Sequence, residues 1–176
     1  FMERALPISF SPERNIGFLL HNTFIDDKLS IQVGLFREAE NGNDKNIDNT
    51  RNLTGRVTFL PIDNGNNLLH LGLAFSNRSS SDSTYSIYSR AENHLGTKLL
   101  DLDISNVDNM YLLGFEMAFV MGPFSIQGEY VMNNLDAVEE YIFSGYYGQC
   151  SYFLTGEKRV YKNSLSGFDR VSPNAN

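Results

Sequence analysis

Leu69-His70-Leu71-Gly72-Leu73-Ala74-Phe75-Ser76 sets a large apolar side chain against a small or polar one at every step. Successive side chains of a strand point to opposite faces, so this stretch has one greasy face and one polar face. The same alternation recurs on both sides of it. Upstream, Leu29, Ile31, Val33 and Leu35 are interleaved with Ser30, Gln32 and Gly34, and Leu53, Val57 and Phe59 with Thr54, Arg56 and Thr58. Downstream, Leu113, Phe115, Met117 and Phe119 alternate with Gly114, Glu116 and Ala118. Phe124, Ile126 and Tyr130 alternate with Ser125, Gln127 and Glu129. Two runs are noisier. Ile16, Phe18, Leu20 and Phe24 share a parity, and Tyr146, Cys150, Tyr152 and Leu154 oppose Gln149, Ser151 and Thr155.

Helical spacing at i, i+3, i+4 fails throughout, so the chain reads as all-β. A soluble sandwich also alternates. Strand length separates the two, because runs of about ten residues recur, as a tilted bilayer-crossing strand requires.

The connections fall into two kinds. Asp26-Asp27, Pro61 to Asn66 and Gly122-Pro123 are short; Ala39 to Arg51, Asn77 to Ser83 and Asn133 to Glu140 are longer and polar. Short turns at one end and long loops at the other are the habit of an outer-membrane barrel. Counting up and down, Gly122-Pro123 reaches the short-turn end only with one more strand between Arg90 and Met110. Thr97 to Asp103 is the candidate, expected to pair antiparallel with the strand that ends near Met121. The expectation is an antiparallel up-and-down transmembrane β-barrel with about nine strands in this chain. Residues 1–176 would form a single porin-like domain, incomplete at both ends, and the opening Phe1-Met2-Glu3-Arg4 reads as cut from a longer polypeptide.

Composition narrows the function. Hydrophobic residues make up 41% of the chain, slightly low for a dry globular core but suited to strands that are half wet. A net charge of −7 argues against nucleic acid as a partner, since polyanion binding rests on Lys and Arg. A single cysteine, Cys150, excludes an internal disulfide and a multi-cysteine metal site. No run approaches the roughly 18 apolar residues of a spanning helix, which leaves a β span open.

Catalytic constellations are thin. There is no Gly-rich phosphate loop, no paired cysteine ligands and no HExxH, and His21, His70 and His94 lack ligand spacing. Asp26-Asp27 and Glu139-Glu140 read as solvated turns. No enzyme and no cofactor is expected. The polar strand faces carry more: Arg56, His70, Glu116, Gln127 and Glu129 sit at mid-strand. A charge there would be expensive in a dry core, yet costs little against a water-filled lumen, where it sets which ions pass. The bland alternative is the solvent face of an ordinary antiparallel sheet.

Several strings resemble the phosphate-selective porins O and P. They include Phe1 to Pro7 with Asn15-Ile16-Gly17, Leu53-Thr54-Gly55-Arg56-Val57-Thr58, and Leu69 to Ala74. Gly114-Phe115-Glu116, Gly122 to Tyr130, Gly145-Tyr146-Tyr147 and Ser151 to Glu157 follow in the family's order. The resemblance implies a sixteen-stranded barrel in the bacterial outer membrane, wide enough for an aqueous channel. It also implies contact with membrane lipid, assembly as a homotrimer, and passage of small ions such as phosphate. Members that select phosphate carry arginines stacked along the lumen, whereas Tyr85 to Glu92 keeps only Arg90 here. Strong phosphate selectivity is therefore not expected.

Arg4, Arg56 and Arg90 are the candidate anion contacts, each offering a planar fork to oxyanion oxygens. Arg4 could equally pair with Glu3 or a loop carboxylate, and Arg56 could pair across strands with Glu116 and hold the wall instead. The rival function is a soluble β-sandwich or lipocalin-like ligand binder, in which the fatty faces would meet in a core. A barrel-bound enzyme would need a nucleophile and base that the sequence does not supply.

Overall fold

A computed structural model describes Ala5, Pro7, Phe10 and residues 15–38, 51–79, 84–90 and 96–174. In chain order the strands are β1 (Asn15–Phe24), β2 (Leu29–Glu38), β3 (Asn52–Asp63), β4 (Asn67–Ser79), β5 (Thr84–Arg90) and β6 (Lys98–Ser105). They continue with β7 (Asn109–Met121), β8 (Phe124–Asp136), β9 (Glu140–Tyr152), β10 (Tyr161–Lys162) and β11 (Gly167–Phe168). Seven of them form one antiparallel sheet in the order β1-β2-β3-β4-β7-β8-β9. Each is 10 to 13 residues long, the length of a tilted crossing strand.

Register turns the sequence alternation into faces. Ile31, Val57, Leu73, Phe115, Tyr130 and Tyr146 lie side by side on one rung across six strands. Most of this apolar face is exposed: Leu73 is 63% accessible, and Ile31, Val33, Phe115, Met117 and Ile126 are each 40% or more. The opposite parity carries Gln32, Arg56, His70, Glu116, Gln127 and Glu129, all buried or half-buried. Exposed fat and covered charge invert the order of a water-soluble sheet, as a lipid-facing wall demands.

Two longer segments cover the polar face, beside Pro7 and Phe10, which pack on Gly145 and Phe143 of β9. Residues 80–108 join β4 to β7 and contain the hairpin β5–β6, which pairs only with itself. Its Tyr85 and Ile104 pack on Val107, Met110 and Leu135, and the Tyr85 hydroxyl accepts a hydrogen bond from Asn133 Nδ2 at 3.0 Å. Met110, Asn133 and Leu135 all have polar-face parity, so the hairpin sits against that face. At the other end, residues 153–174 return from β9 as a strap bearing β10, a 3-10 turn at Asn163–Leu165 and β11. Its Tyr161 and Phe168 pack on Leu60, Leu68 and Val120. Fully burying such aliphatic side chains is worth about 1.5–3 kcal/mol each.

This arrangement corrects the strand count of the wall. A strand does form over the expected Thr97–Asp103, but β6 pairs with β5, and β4 pairs directly with β7 from Asn67↔Met121 to Ser79↔Asn109. Up-down parity could not see this, because a pair of strands preserves parity whether it joins the wall or leaves it. Length could: at 7 and 8 residues, β5 and β6 are too short to cross a bilayer.

Three connections also differ from expectation. β3 runs through Pro61, and its register with β4 slips between Phe59 and Ile62, where the proline has no N–H to give to the ladder. The turn proper is 64–66, with Gly65 at φ +81°. Asn77 to Ser79 extend β4, while 80–83 lie outside the described residues. Asn133 to Asp136 extend β8, leaving only 137–139 before β9; the buried Asn133 serves the hairpin rather than a turn. The Asp26-Asp27 turn is as expected, with Ile25, Asp26 and Asp27 all left-handed, and Asp27 accepting from the Thr23 hydroxyl.

Arginine at Leu73 should cost about 2–4 kcal/mol of folding free energy in lipid vesicles, the penalty for a cation on the lipid face of a barrel at mid-depth. Urea titration of the refolded protein measures it. A loss below about 0.5 kcal/mol, ordinary for a watery surface, would mean that Leu73 does not face lipid.

Candidate functional site

The polar face is organised by a missing side chain. Arg56 on β3 and Glu116 on β7 are separated by β4, where Gly72 stands on the same rung as Glu116. A Cβ built on Gly72 would fall 2.3 Å from Glu116 Oε1 and 2.4 Å from its Cγ. The space above Gly72 is thus filled by the glutamate, which reaches across the strand. Arg56 Nε donates to Glu116 Oε1 at 2.6 Å and Nη2 donates to Oε2 at 3.0 Å, a bidentate pair.

The pair is joined to the strap. Arg56 Nη2 also donates to the Ser166 carbonyl at 3.0 Å. His70, only 4% accessible, places Nε2 3.7 Å from Glu116 Oε2 and Nδ1 2.9 Å from the Tyr161 hydroxyl. Burial pushes the Tyr161 pKa up to about 12, so its hydroxyl remains a neutral hydrogen-bonding group through the physiological range. The left-handed Ser166, φ 49°, ends the 3-10 turn and presents its carbonyl to Arg56.

A second network lies on β8 and β9. Glu129 Oε1 accepts from the Tyr147 hydroxyl at 2.6 Å, and Gln127 Nε2 donates to the same hydroxyl at 3.1 Å. The Gln127 carbonyl oxygen accepts from Arg159 of the strap. Further grips are Lys158 on the Gly65 carbonyl, and Asn163 Nδ2 on the Asp27 carbonyl at 3.4 Å.

Of the residues singled out from sequence, Arg56, His70 and Glu116 therefore form one cluster, and Gln127 and Glu129 form its neighbour. Arg90 is in neither. It ends β5 on the separate hairpin, opposite Lys98, half-buried and with Nε unbonded. Arg4 lies outside the described residues. Arg56 adopts the cross-strand pairing with Glu116 that sequence left open as the wall-holding alternative. Sequence reading missed Tyr147, Arg159, Tyr161 and Ser166. Tyr147 shares parity with Gln149 and could have been found on that signal. The other three belong to the strap, where no strand period operates. Among the described residues no group of three or more His, Cys, Asp or Glu is placed to hold a metal ion.

What can such a surface do? It offers ordered donors and acceptors along a sheet whose other side is apolar, with two inserts narrowing the space above it. This is the wall of an antiparallel membrane β-barrel of the porin class, a class of channels rather than of enzymes. The family described as phosphate-selective porin O and P matches residues 1–175, and the chain belongs to it. It is 29% identical over 202 residues to Porin O of Pseudomonas aeruginosa, covering 93% of this chain and 45% of that protein. The chain thus spans about half the length of that relative. Membership places it in the bacterial outer membrane.

A double-mutant cycle on Arg56→Met and Glu116→Leu should return a coupling of about 1–2 kcal/mol, the range of a half-exposed charge-assisted pair. In a Gly72→Val background the coupling should fall to near zero, because the new side chain takes the space of the carboxylate. Undiminished coupling there would show that the pair does not depend on the gap at Gly72.

Proposed function

We propose that the chain forms the central wall of a trimeric outer-membrane porin that passes small ions and solutes by diffusion, with weak or no preference for phosphate. In this reading the polar face lines a water-filled lumen, and the strap and the hairpin restrict it from opposite ends. The apolar face, exposed across seven strands, supports contact with lipid over the sandwich alternative, in which that face would be packed.

The observation that carries the weak preference is the engagement of Arg56. Three of its five N–H donors are already committed, two to Glu116 and one to Ser166. Its charge is balanced by the same carboxylate. Glu129 adds a further negative group on the neighbouring strand, accepting a hydrogen bond from the Tyr147 hydroxyl. A phosphate site of real affinity needs several convergent, unspent donors. His70 is almost wholly covered and turned to Tyr161, so it does not supply one. Arg90 sits on the hairpin with its Nε buried and unbonded, so that atom does not face an incoming anion. The name of the family supports anions as cargo; the Arg56–Glu116 pairing argues that this member is undemanding about which.

Planar-bilayer recording tests this. Chloride current through the protein should fall in proportion to added phosphate, with no saturating block at micromolar concentration. Such a block would overturn the weak-preference reading, and absence of any conductance from correctly folded protein would overturn the porin reading itself.

A further inference from the structure

We propose that Arg159 of the strap is an anion-contacting, selectivity-determining cation of the polar face, and that small inorganic oxyanions are its ligands. This rests on the porin reading above.

The described cations differ in what they already hold. Arg56 is matched by Glu116, and Lys98 by Asp101 at 2.8 Å. Arg159 makes no ion pair with a carboxylate among the described residues. Its guanidinium carbon lies 3.8 Å from the centroid of the Phe168 ring, and one N–H is given to the Gln127 carbonyl oxygen. A neutral ring and a neutral amide fix the group without cancelling its charge. Among the described residues its other N–H groups have no protein partner.

The neighbouring side chains orient the amide that holds it. Glu129 is occupied by the Tyr147 hydroxyl, and Gln127 uses its NH2 on that same hydroxyl. The amide is thereby oriented with its oxygen toward Arg159. The relay Glu129–Tyr147–Gln127 steadies the guanidinium through the Gln127 amide, while Glu129 keeps its negative charge. Burial disfavours the charged form and draws its pKa below the usual guanidinium value, which is what a cation without a counter-charge experiences. The guanidinium nevertheless stays protonated, so an incoming anion would supply the missing partner. A planar fork held against a ring suits two oxygens of one oxyanion better than a spherical halide.

The test compares Arg159→Gln and Arg159→Lys with the parent protein in planar bilayers, reading reversal potential under a potassium phosphate gradient and then a potassium chloride gradient. Arg159→Gln should lower the anion-to-cation permeability ratio roughly fivefold, the scale of one unit charge at contact distance in a wet lumen. The fall should be larger in phosphate than in chloride. Arg159→Lys should keep the chloride ratio and lose part of the phosphate ratio, since it retains the charge but not the fork. Single-channel conductance within the parent's range shows that the strap is still in place. An unchanged ratio in Arg159→Gln at parent-like conductance would overturn the assignment and leave the porin reading standing. Equal losses in both variants would overturn it too, by showing that Arg159 only anchors the strap. A parent protein that forms no channel would sink the porin reading and this assignment together.

Discussion

A carboxylate that crosses a strand to meet a guanidinium is the contact on which the polar side of this sheet depends. Without Glu116, Arg56 would be half-buried with its charge unmet, and the cost of such a group commonly exceeds what the pair itself contributes. Without Arg56, Glu116 would sit beside Glu129, its register partner on β8, with like charges directly opposed. The pair therefore does two things at once. It balances the wall across three strands, and it turns the free edge of the guanidinium toward the Ser166 carbonyl, so that the strap docks on an already neutralised surface.

Much of the wall could be read from the order of residues. The alternation Leu69-His70-Leu71-Gly72-Leu73 fixes which side chains share a face, because period 2 is a property of the strand alone. The Arg56–Glu116 pairing was legible only as one of two options, since facing is set by parity but partner choice depends on register and on the vacancy at Gly72. What alternation could not convey was membership of the sheet. β6 is expected from the count of turns rather than from its weak alternation, and the destination of β5 and β6 is decided by length and by the apolar seat at Val107, Met110 and Leu135. The strap was invisible for a different reason. Its residues are ordered by tertiary contacts from Arg56, His70 and Gln127, and nothing local in Gly156-Glu157-Lys158-Arg159 announces that they lie against a sheet.

The two coverings divide the labour differently. Among the described residues the hairpin is held mainly by apolar burial, joined by a hydrogen bond from Asn133 to Tyr85. The strap combines a small apolar seat with hydrogen bonds at five points along the sheet, so it is placed by direction as well as by area. Hydrophobic contact is tolerant of sliding, whereas a bidentate or ring-nitrogen contact is not. The end of the sheet bearing the strap is accordingly the more closely specified of the two.

The strap's contacts also carry a timetable. Ser166 meets a residue 110 positions earlier, Tyr161 one 91 positions earlier, Lys158 one 93 positions earlier and Asn163 one 136 positions earlier. Each closes a far larger loop than the hairpin turns that zip neighbouring strands, and loops of that size form slowly and late. Every acceptor or ring the strap needs is presented by strands or turns that must already be in register. The chain is thus arranged so that its water-filled side is furnished after its wall has been raised, and an incompletely assembled sheet would stand wider open than the finished one.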